Sequence, residues 1–585
     1  MNIDDQERQM IPEHSWLQHV TKIMKKNDKE LEPIPLTYSG YFSHLQDENS
    51  IRPRASVGVF PTLPDKAHTL SMQTHMMRIH KKATQYVNPG QAPVCVTDLP
   101  LYVQQKKAQK LFHDDLGEDM FVCMLGMLHT EMTLQECGGQ LMSGSGWENM
   151  FHMAGIFPPG VAKSLLGGNH IKRTRTAYML TVAWLHILED QAYQQYLDRS
   201  IAPYEPFEVW ENRMMKNSPT FRFWITCRNF MLLACRFIRG QRSGDWKLTI
   251  DSLKLICRWC FVFGRTNYAR WLPVFLRDML LLETRHPLVF KAFNHGLFVI
   301  QRSRSKFSMM ALDQNQEHCI QFLKEEGGPK GLYGQTEEKD VIEISRPGIL
   351  RAIKQFEDQL DSVNNTPCEP VKEHPESSIA EQEKFIRQLD ALLRLVIEEK
   401  IINPFRENSQ NLITLDTGEI IDPEVTSCLS MIEDTGEALM REYVVSRIEK
   451  AEKPVSDTIS RPRMYTFSNR PPVRLSEGNK SNVKGIQLVM QMFMSLQARP
   501  EASMLEFFAH ENQCDPLICL IIAGCIKGLN QLTLNVFLKC QNQARIMVQI
   551  MPLLLCMICL LLYIWCYPRE PLIFQITCQC TSYHL

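Results

Sequence analysis

APVCVT (residues 92–97) is an uncharged, apolar run that follows the turn signal NPG (residues 88–90). A short run of this kind, β-rich and placed after a turn, predicts a buried strand. MFVCMLG (residues 120–126) is a second such run, with no charged residue between Asp119 and His129. Strands buried on both faces are expected in the centre of an α/β sheet. The two runs therefore predict the first strands of an α/β core.

Helical periodicity dominates the sequence that follows these two runs. Apolar residues recur at helical spacing in residues 176–196, 221–239, 245–263 and 269–283, and in 221–239 and 245–263 Arg and Lys lie on the other side. This spacing predicts amphipathic helices. Strand-like apolar runs return at residues 298–300 and 307–312. The predicted fold class is therefore α/β with predominantly helical content, in which helices are inserted before the last strand.

The charge of the chain is unevenly distributed. Residues 161–310 hold 23 lysines and arginines against 10 aspartates and glutamates, a balance of +13 in a chain whose net charge is −1. A basic segment in a neutral chain indicates a surface for a polyanion such as DNA. The alternative is that basic and acidic parts of the chain match each other.

Several common sites are missing from the sequence. There is no GxxxxGK[ST] motif and no GxGxxG after a predicted strand, which argues against a nucleotide-binding fold. GSG (residues 144–146) lacks the strand and turn that a serine hydrolase needs. Cys257 and Cys260 form a CxxC without a second pair, in an apolar helical run where thiols usually pack in the core.

The first residues, MNIDDQE, are acidic and polar and are not followed by an apolar segment. They therefore do not resemble a secretory signal, and we expect a protein that is not secreted. In a reducing compartment the ten cysteines before residue 510 are expected to be free thiols.

Acidic residues follow the predicted strands. Asp98 comes directly after the first strand, His129 and Glu131 follow the second, and Asp313 and Glu317 follow the third. Carboxylates at adjacent strand ends can hold two divalent cations, which clamp a scissile phosphate and polarise the attacking water. Oxygen ligands of this kind suit Mg²⁺ or Mn²⁺. The alternative is that each acid caps a helix or lies in a turn.

Several segments resemble a family of uncharacterised, transposon-derived proteins present in many copies in invertebrate and fish genomes. The resemblance covers roughly residues 50–515. It is carried by YVNPGQAPVCVTDLPLY (86–102), GEDMFVCMLGMLHTEM (117–132), GSGW (144–147), TNYARWLPVFLRDM (266–279), KFSMMALDQNQEH (306–318) and FFAHENQ (507–513).

The resemblance implies a fold and candidate roles. The order of motifs is similar to that of transposases whose ribonuclease-H-like core is interrupted by a helical insertion. Asp98 would then be the first catalytic acid, His129 or Glu131 would hold the second position, and Glu317 the last. The basic helices of the insertion would contact the DNA backbone by neutralising phosphates. The candidate contacts are Lys172, Arg173, Arg175, Arg236, Arg239 and Arg242.

The chain departs from the family pattern at two of these motifs. The usual Asp-Gln-Pro reads Asp98-Leu99-Pro100, and the usual His-Glu-Gln-Asn-Asn reads QEHCI (residues 316–320). Polar groups that position a metal or substrate are thus replaced by Leu, Cys and Ile, a loss that costs far more than one hydrogen bond. We therefore expect a chain that has lost cleavage activity.

The predicted domain organisation follows these changes in composition. A polar segment (residues 1–50) precedes the first part of the core (51–150), and a basic helical insertion (151–297) precedes the end of the core (298–361). A Pro-rich linker (362–382) then leads into an acidic helical region (383–513). Helices are also predicted near residues 15–26, 68–86, 381–401 and 437–451.

The last part of the chain (residues 514–585) differs in composition from everything before it. It carries nine of the 19 cysteines, and residues 546–567 contain no charge. An apolar segment of about 20 residues can span a bilayer, so a membrane helix is predicted with Ile546 and Tyr567 at its ends. The alternatives are non-native coding, since the resemblance stops at Gln513, and a buried helix.

Three hypotheses for function remain open at the level of sequence. The first is a catalytically degraded, DNA-binding transposase relative, nuclear or cytoplasmic, with Mg²⁺ or Mn²⁺ as its cofactor if any cleavage survives. The second is a membrane protein anchored by residues 546–567, whose helices form an interaction scaffold. The third is a pseudogene product without a selected role. The sequence does not predict an oligomeric state.

Overall fold

Two short parallel strands and a large set of helices make up the computed structural model. It describes residues 3–26, 33–48, 66–168, 170–200, 203–301, 303–325, 371–406 and 410–471, with the single positions 55, 352, 355 and 359. These residues belong to one compact unit, Met1–Pro471.

The strands are β1 (Val94–Thr97) and β2 (Val122–Leu125), paired in parallel from Val94 with Val122 to Thr97 with Leu125. Both predicted strands are therefore confirmed. Parallel neighbours need a crossover connection, which here is formed by helices α4 and α5. Every residue of β2 is buried, as its uninterrupted apolar sequence requires.

Eight helices lie in the described chain before the long helices of the basic segment. In chain order they are α1 (Ile3–Met24), α2 (Tyr38–Leu45), α3 (Leu70–Val87), α4 (Leu99–Leu111), α5 (His113–Leu116), α6 (Met127–Met142), α7 (Trp147–Met153) and α8 (Pro159–Ser164). A short 3-10 segment, Leu165–Gly167, follows α8. The helix predicted near residues 68–86 is α3.

Between residues 171 and 294 the regular elements of the described chain are all helices. They are α9 (Ile171–Arg199), α10 (Phe207–Asn217), α11 (Pro219–Ser243), α12 (Trp246–Val262), α13 (Thr266–Leu280), α14 (Leu282–Arg285) and α15 (Pro287–Asn294). The four helices predicted here are confirmed as α9, α11, α12 and α13. The later helices are α16 (Leu312–Glu325), α17 (Ile379–Ile397), α18 (Pro423–Ser430) and α19 (Ile432–Tyr443), with a 3-10 turn at Pro375–Ser377 and a π-helical end at Val444–Glu449.

Capping residues explain where the long basic helices begin and end. The Ser218 side chain accepts a hydrogen bond from the backbone N–H of Phe221 at 3.2 Å, and Pro219 occupies the first position of α11. Gly244 ends α11 in the left-handed conformation (φ 70°), which glycine adopts without strain. Asp245 then caps α12 at the backbone N–H of Leu248. Two long helices are thus joined through two residues, Gly244 and Asp245.

One hydrophobic cluster runs through the described residues. Its largest fully buried side chains include six tryptophans: Trp16, Trp147, Trp184, Trp210, Trp224 and Trp259. Cys257 and Cys260 lie inside it as free thiols, so the core position expected for this CxxC is confirmed. The cluster joins residues from both sides of positions 150 and 297, and the domain boundaries placed there remain predictions.

The third predicted strand is wrong. Residues 298–300 and 307–312 meet only through an antiparallel bridge between Ile300 and Met310, and no strand forms there in the described part of the chain. Phe307 has a φ of 50°, which interrupts an extended backbone, and helix α16 already begins at Leu312. Asp313 and Glu317 therefore lie on a helix and not after a strand.

Residues 546–567 and the rest of the C-terminal segment lie outside the described residues, so the apolar C-terminal helix remains a prediction. None of the helices described here is both long and apolar enough to cross a membrane.

Candidate functional site

The carboxyl ends of β1 and β2 start two helices, and these helices position two of the candidate residues. Asp98 follows β1 directly and caps α4, where its Oδ1 accepts a hydrogen bond from the backbone N–H of Leu101 at 3.2 Å. Gly126 follows β2, and α6 begins one residue later. His129 therefore lies in the first turn of α6, beside the end of the neighbouring strand.

Asp313 reaches this point from α16. Its Oδ2 accepts a hydrogen bond from the backbone N–H of His129 at 3.2 Å and lies 3.1 Å from His129 Nδ1. The Asp313 side chain is 4% exposed, and its Oδ1 is buried without a hydrogen-bond partner in the described structure. A Cβ at Gly126 would lie 2.9 Å from the Asp313 carboxyl carbon and closer still to Oδ2. The absence of a side chain at Gly126 is thus what admits Asp313.

The acids and the histidine shift one another's pKa values. Burial raises the pKa of Asp98 to about 6, against the hydrogen bond from Leu101 and the charge of His129, while the charges of Glu317 and Asp313 add to the rise. Burial alone would lower the pKa of His129. The hydrogen bond and charge of Asp313 outweigh that effect, so the pKa of His129 is raised.

Gly126→Ala tests whether Asp313 sets the charge state of His129. The added methyl group displaces the Asp313 carboxylate, while His129 stays partly buried, so we expect the pKa of His129 to fall. Histidine-selective ¹³C labelling and an NMR titration measure that pKa. Gly160→Ala is the matched control, because a Cβ there meets no atom within 4 Å. An unchanged pKa in Gly126→Ala would show that Asp313 is not the source of the shift.

Glu131 lies apart from this cluster. Its carboxylate is 0% exposed and accepts hydrogen bonds from Arg175 Nε at 2.7 Å and Arg175 Nη2 at 2.6 Å, with Gln135 Nε2 at 2.9 Å. His129 and Glu131 both lie on α6, where two residues correspond to a rotation of about 200°. The two side chains therefore leave the helix on nearly opposite sides, and Glu131 is engaged with Arg175.

A cavity of about 1330 Å³ opens at the strand ends and joins the acidic cluster to the basic segment. Asp98, His129 and Glu317 line one part of it. Three candidate basic residues line another part: Lys172 and Arg175 from α9 and Arg242 from α11. Acids and bases that are far apart in sequence thus face one solvent-accessible space.

The other three candidate basic residues lie elsewhere. Arg173 is exposed on the first turn of α9, next to Lys172. Arg236 is 3% exposed. Arg239 is ion-paired through Nε with Glu13 at 2.6 Å and lies over the Phe42 ring. Because Arg236 and Arg239 are enclosed by protein, we leave them out of any proposed interface.

The donor chemistry of Asp98, Asp313 and Glu317 suits Mg²⁺ or Mn²⁺, but their arrangement does not. Within the described ranges no three His, Cys, Asp or Glu residues are placed to hold one metal ion. Oδ2 of Asp313 is already occupied by His129, and Oδ1 of Asp98 by the start of α4. The cluster therefore does not fit a bound metal, and we derive no chemical step through one.

Residues that sequence analysis did not single out also line the cavity. Glu136 of α6 pairs with Arg265 at 2.7 Å. His374 and Lys384 come from the region predicted to be linker and acidic helix. No sequence motif predicts that these residues lie near the acids, because the contacts join segments that are distant in sequence.

Comparison with known proteins gives a family. A family model described as "Domain of unknown function (DUF8702)" matches residues 37–202 and 202–511. No curated protein and no solved structure matches the chain. The family match includes every described residue that lines the cavity. Since it extends over far more than half of the sequence, the chain belongs to the family of DUF8702 domains.

Proposed function

We propose that this chain is a DNA-binding relative of transposases, with a ribonuclease-H-like core that no longer cleaves DNA. One observation carries the proposal: a single cavity at the carboxyl ends of two parallel strands joins Asp98 and Glu317 to basic residues of the helical segment. In open α/β sheets, ligands bind in the crevice at the carboxyl ends of the strands. The order of Asp98, the helical segment and Glu317 along the chain also agrees with the family resemblance.

The basic side of the proposed interface is the start of α9. Lys172 and Arg173 are both exposed on the first turn of this helix. Backbone N–H groups at a helix N-terminus add to the attraction for phosphate. Contacts of this kind bind DNA without reading its sequence, so we expect binding that depends little on sequence and strongly on salt.

The geometry of the acids supports the proposed loss of cleavage. Glu131 is held by Arg175, and Asp313 is hydrogen-bonded to His129. These acids are consequently bound to protein groups and do not form a shared set of open oxygen ligands. The sequence departures at Leu99 and at residues 319–320 affect the same part of the chain.

The double variant Lys172→Ala/Arg173→Ala tests DNA binding. We expect its affinity for duplex DNA to fall about tenfold at about 100 mM salt, because each lost phosphate contact removes one contribution from counterion release. Fluorescence anisotropy of a labelled duplex measures the affinity. The matched control is Lys107→Ala/Lys110→Ala, two exposed lysines on α4 that do not line the cavity. Equal DNA affinities for the two double variants would show that the start of α9 is not part of the interface.

A plasmid assay separates binding from cleavage. Supercoiled DNA is incubated with the protein and Mg²⁺ or Mn²⁺, and we expect no more nicking with the natural chain than with Asp98→Asn. Nicking that requires both the metal and Asp98 would overturn the proposed loss of cleavage and leave the binding proposal standing.

A further inference from the structure

A smaller cavity of about 270 Å³ adjoins the large one and shares Pro375 and four polar residues with it: Arg175, Arg242, Gln314 and His374. The lining of this smaller cavity differs in charge from that of the large cavity. Among the described residues that line it there is no aspartate or glutamate. The polar side chains lining it, apart from the four shared ones, are Gln241, Ser303, Ser305 and Ser308.

Arg242 enters this cavity without a carboxylate partner. Its Nη1 donates to Ser39 Oγ, and its guanidinium lies 5.7 Å from the centre of the Phe307 ring. The described part of the chain offers no ion pair to Arg242 and no hydrogen bond to its Nε or Nη2. Arg242 is partly buried, and burial together with the charge of Arg175 lowers its pKa, against the charges of Glu376 and Glu131.

Arg175 and His374 add donors from two other directions. Arg175 uses Nε and Nη2 on Glu131, which leaves Nη1 without a hydrogen-bond partner in the described structure. His374 Nδ1 accepts a hydrogen bond from the backbone N–H of Glu376 at 3.2 Å. Burial and the charge of Arg242 lower the pKa of His374 to about 4, so its ring is neutral and its hydrogen lies on Nε2.

We propose that this small cavity binds a phosphate group, either inorganic phosphate or a phosphomonoester. Two guanidinium groups, the Nε2 hydrogen of His374 and the Ser305 hydroxyl supply donors that recognise a tetrahedral dianion, and no lining carboxylate in the described structure opposes it. The volume is several times the roughly 30 Å³ that one water occupies in the liquid, so a phosphate group fits. The site shares Arg175 and Arg242 with the large cavity, but it includes neither Lys172 nor Arg173, the two exposed residues proposed above to contact duplex DNA.

Thermal unfolding of the full chain in inorganic phosphate tests the site. Sodium chloride at matched ionic strength is the reference, because general screening then cancels. A ligand that binds only the folded state raises the unfolding temperature. We therefore expect a dose-dependent rise in phosphate that chloride does not reproduce. The same unfolding curve in both salts would overturn the proposal.

Gln314→Glu supplies the matched variant. Gln314 is half-buried and lines both cavities, so the substitution places a negative charge beside the proposed ligand. We expect the phosphate affinity to fall by at least about tenfold from like-charge repulsion in a partly buried site. Gln195→Glu, an exposed change on α9, keeps the affinity. If Gln314→Glu folds and binds phosphate as well as Gln195→Glu does, the cavity is not the site.

Competition with inorganic phosphate for the cavity then shows which kind of molecule carries the bound phosphate group. A 5′-phosphorylated oligonucleotide that competes better than its 5′-hydroxyl form identifies a DNA end as ligand. A nucleoside monophosphate that competes when neither oligonucleotide does identifies a small phosphomonoester. Lys172→Ala/Arg173→Ala should retain phosphate-dependent stabilisation, so failure of duplex binding and failure of this site give different results. Loss of phosphate-dependent stabilisation in that variant would show that the two sites are not independent.

Discussion

We expect the replacement of Glu131 with glutamine to lower the free energy of unfolding by about 3–5 kcal/mol, because it leaves a buried guanidinium without its counter-charge. Both oxygens of the Glu131 carboxylate bind Arg175, whose side chain is 12% exposed against 0% for Glu131. Burial lowers the pKa of Arg175, and the charge of Glu131 outweighs that effect and raises it. Glutamine fills the same space but cannot neutralise the cation.

Glu136→Gln is the control on the same helix. Glu136 also pairs with an arginine, Arg265 at 2.7 Å, but the two side chains are 39% and 27% exposed. Exposed pairs contribute about 0–1 kcal/mol, so this variant should unfold nearly as the natural chain does. Urea unfolding followed by tryptophan fluorescence compares the two. A loss in Glu131→Gln no larger than that in Glu136→Gln would contradict the structural role of Glu131.

Gly139→Ala destabilises the chain by about 1–3 kcal/mol, the usual cost of overpacking a well-packed interior. A Cβ at Gly139 would lie 2.6 Å from the backbone carbonyl carbon of Leu166 and 2.9 Å from its Cα. These atoms belong to the backbone of the 3-10 segment Leu165–Gly167 and cannot rotate away. Helix α6 and that segment would have to separate, although alanine is otherwise about 1 kcal/mol better than glycine inside a helix.

Gly160→Ala gives the opposite result. Gly160 is exposed in α8, and a Cβ there meets nothing within 4 Å. Alanine should therefore leave the unfolding temperature unchanged or raise it slightly. Equal stability for the Gly139 and Gly160 variants would mean that α6 and Leu166 are not in close contact.

Periodicity predicted most of the fold because the long helices bury regular apolar faces. Residues 221–239 and 245–263 alternate apolar and basic residues at helical spacing, and both segments are helices, α11 and α12. The two parallel strands were predictable for a related reason. Each is a short apolar run beside a turn or polar segment, and each is buried.

The failures have equally local causes. Residues 307–312 are apolar and short, and a run of that length does not distinguish a strand from other buried segments. The positive φ of Phe307 is not visible in such a run. Glu131 was grouped with His129 because both follow β2, but a helix that begins at Met127 turns the two side chains apart.

The assembly of the site could not be predicted from spacing. Asp313 and His129 are separated by 184 positions, and the contact depends on the missing side chain at Gly126. Asp98, His129 and Glu317 do share a cavity, as both the strand-end positions and the family resemblance indicated, although Glu317 reaches it from a helix. The small cavity around Arg242 combines residues from four separate segments, so its charge becomes visible only in three dimensions.

The dependence of DNA affinity on salt tests the central proposal most directly. Affinity for one duplex is measured over a range of NaCl concentrations, for the natural chain and for Lys172→Ala/Arg173→Ala. We expect the logarithm of the association constant to fall linearly with the logarithm of salt concentration, with a slope less steep by about 2 in the double variant. Binding that is absent, or whose slope is unchanged by the two substitutions, would contradict the proposed DNA interface.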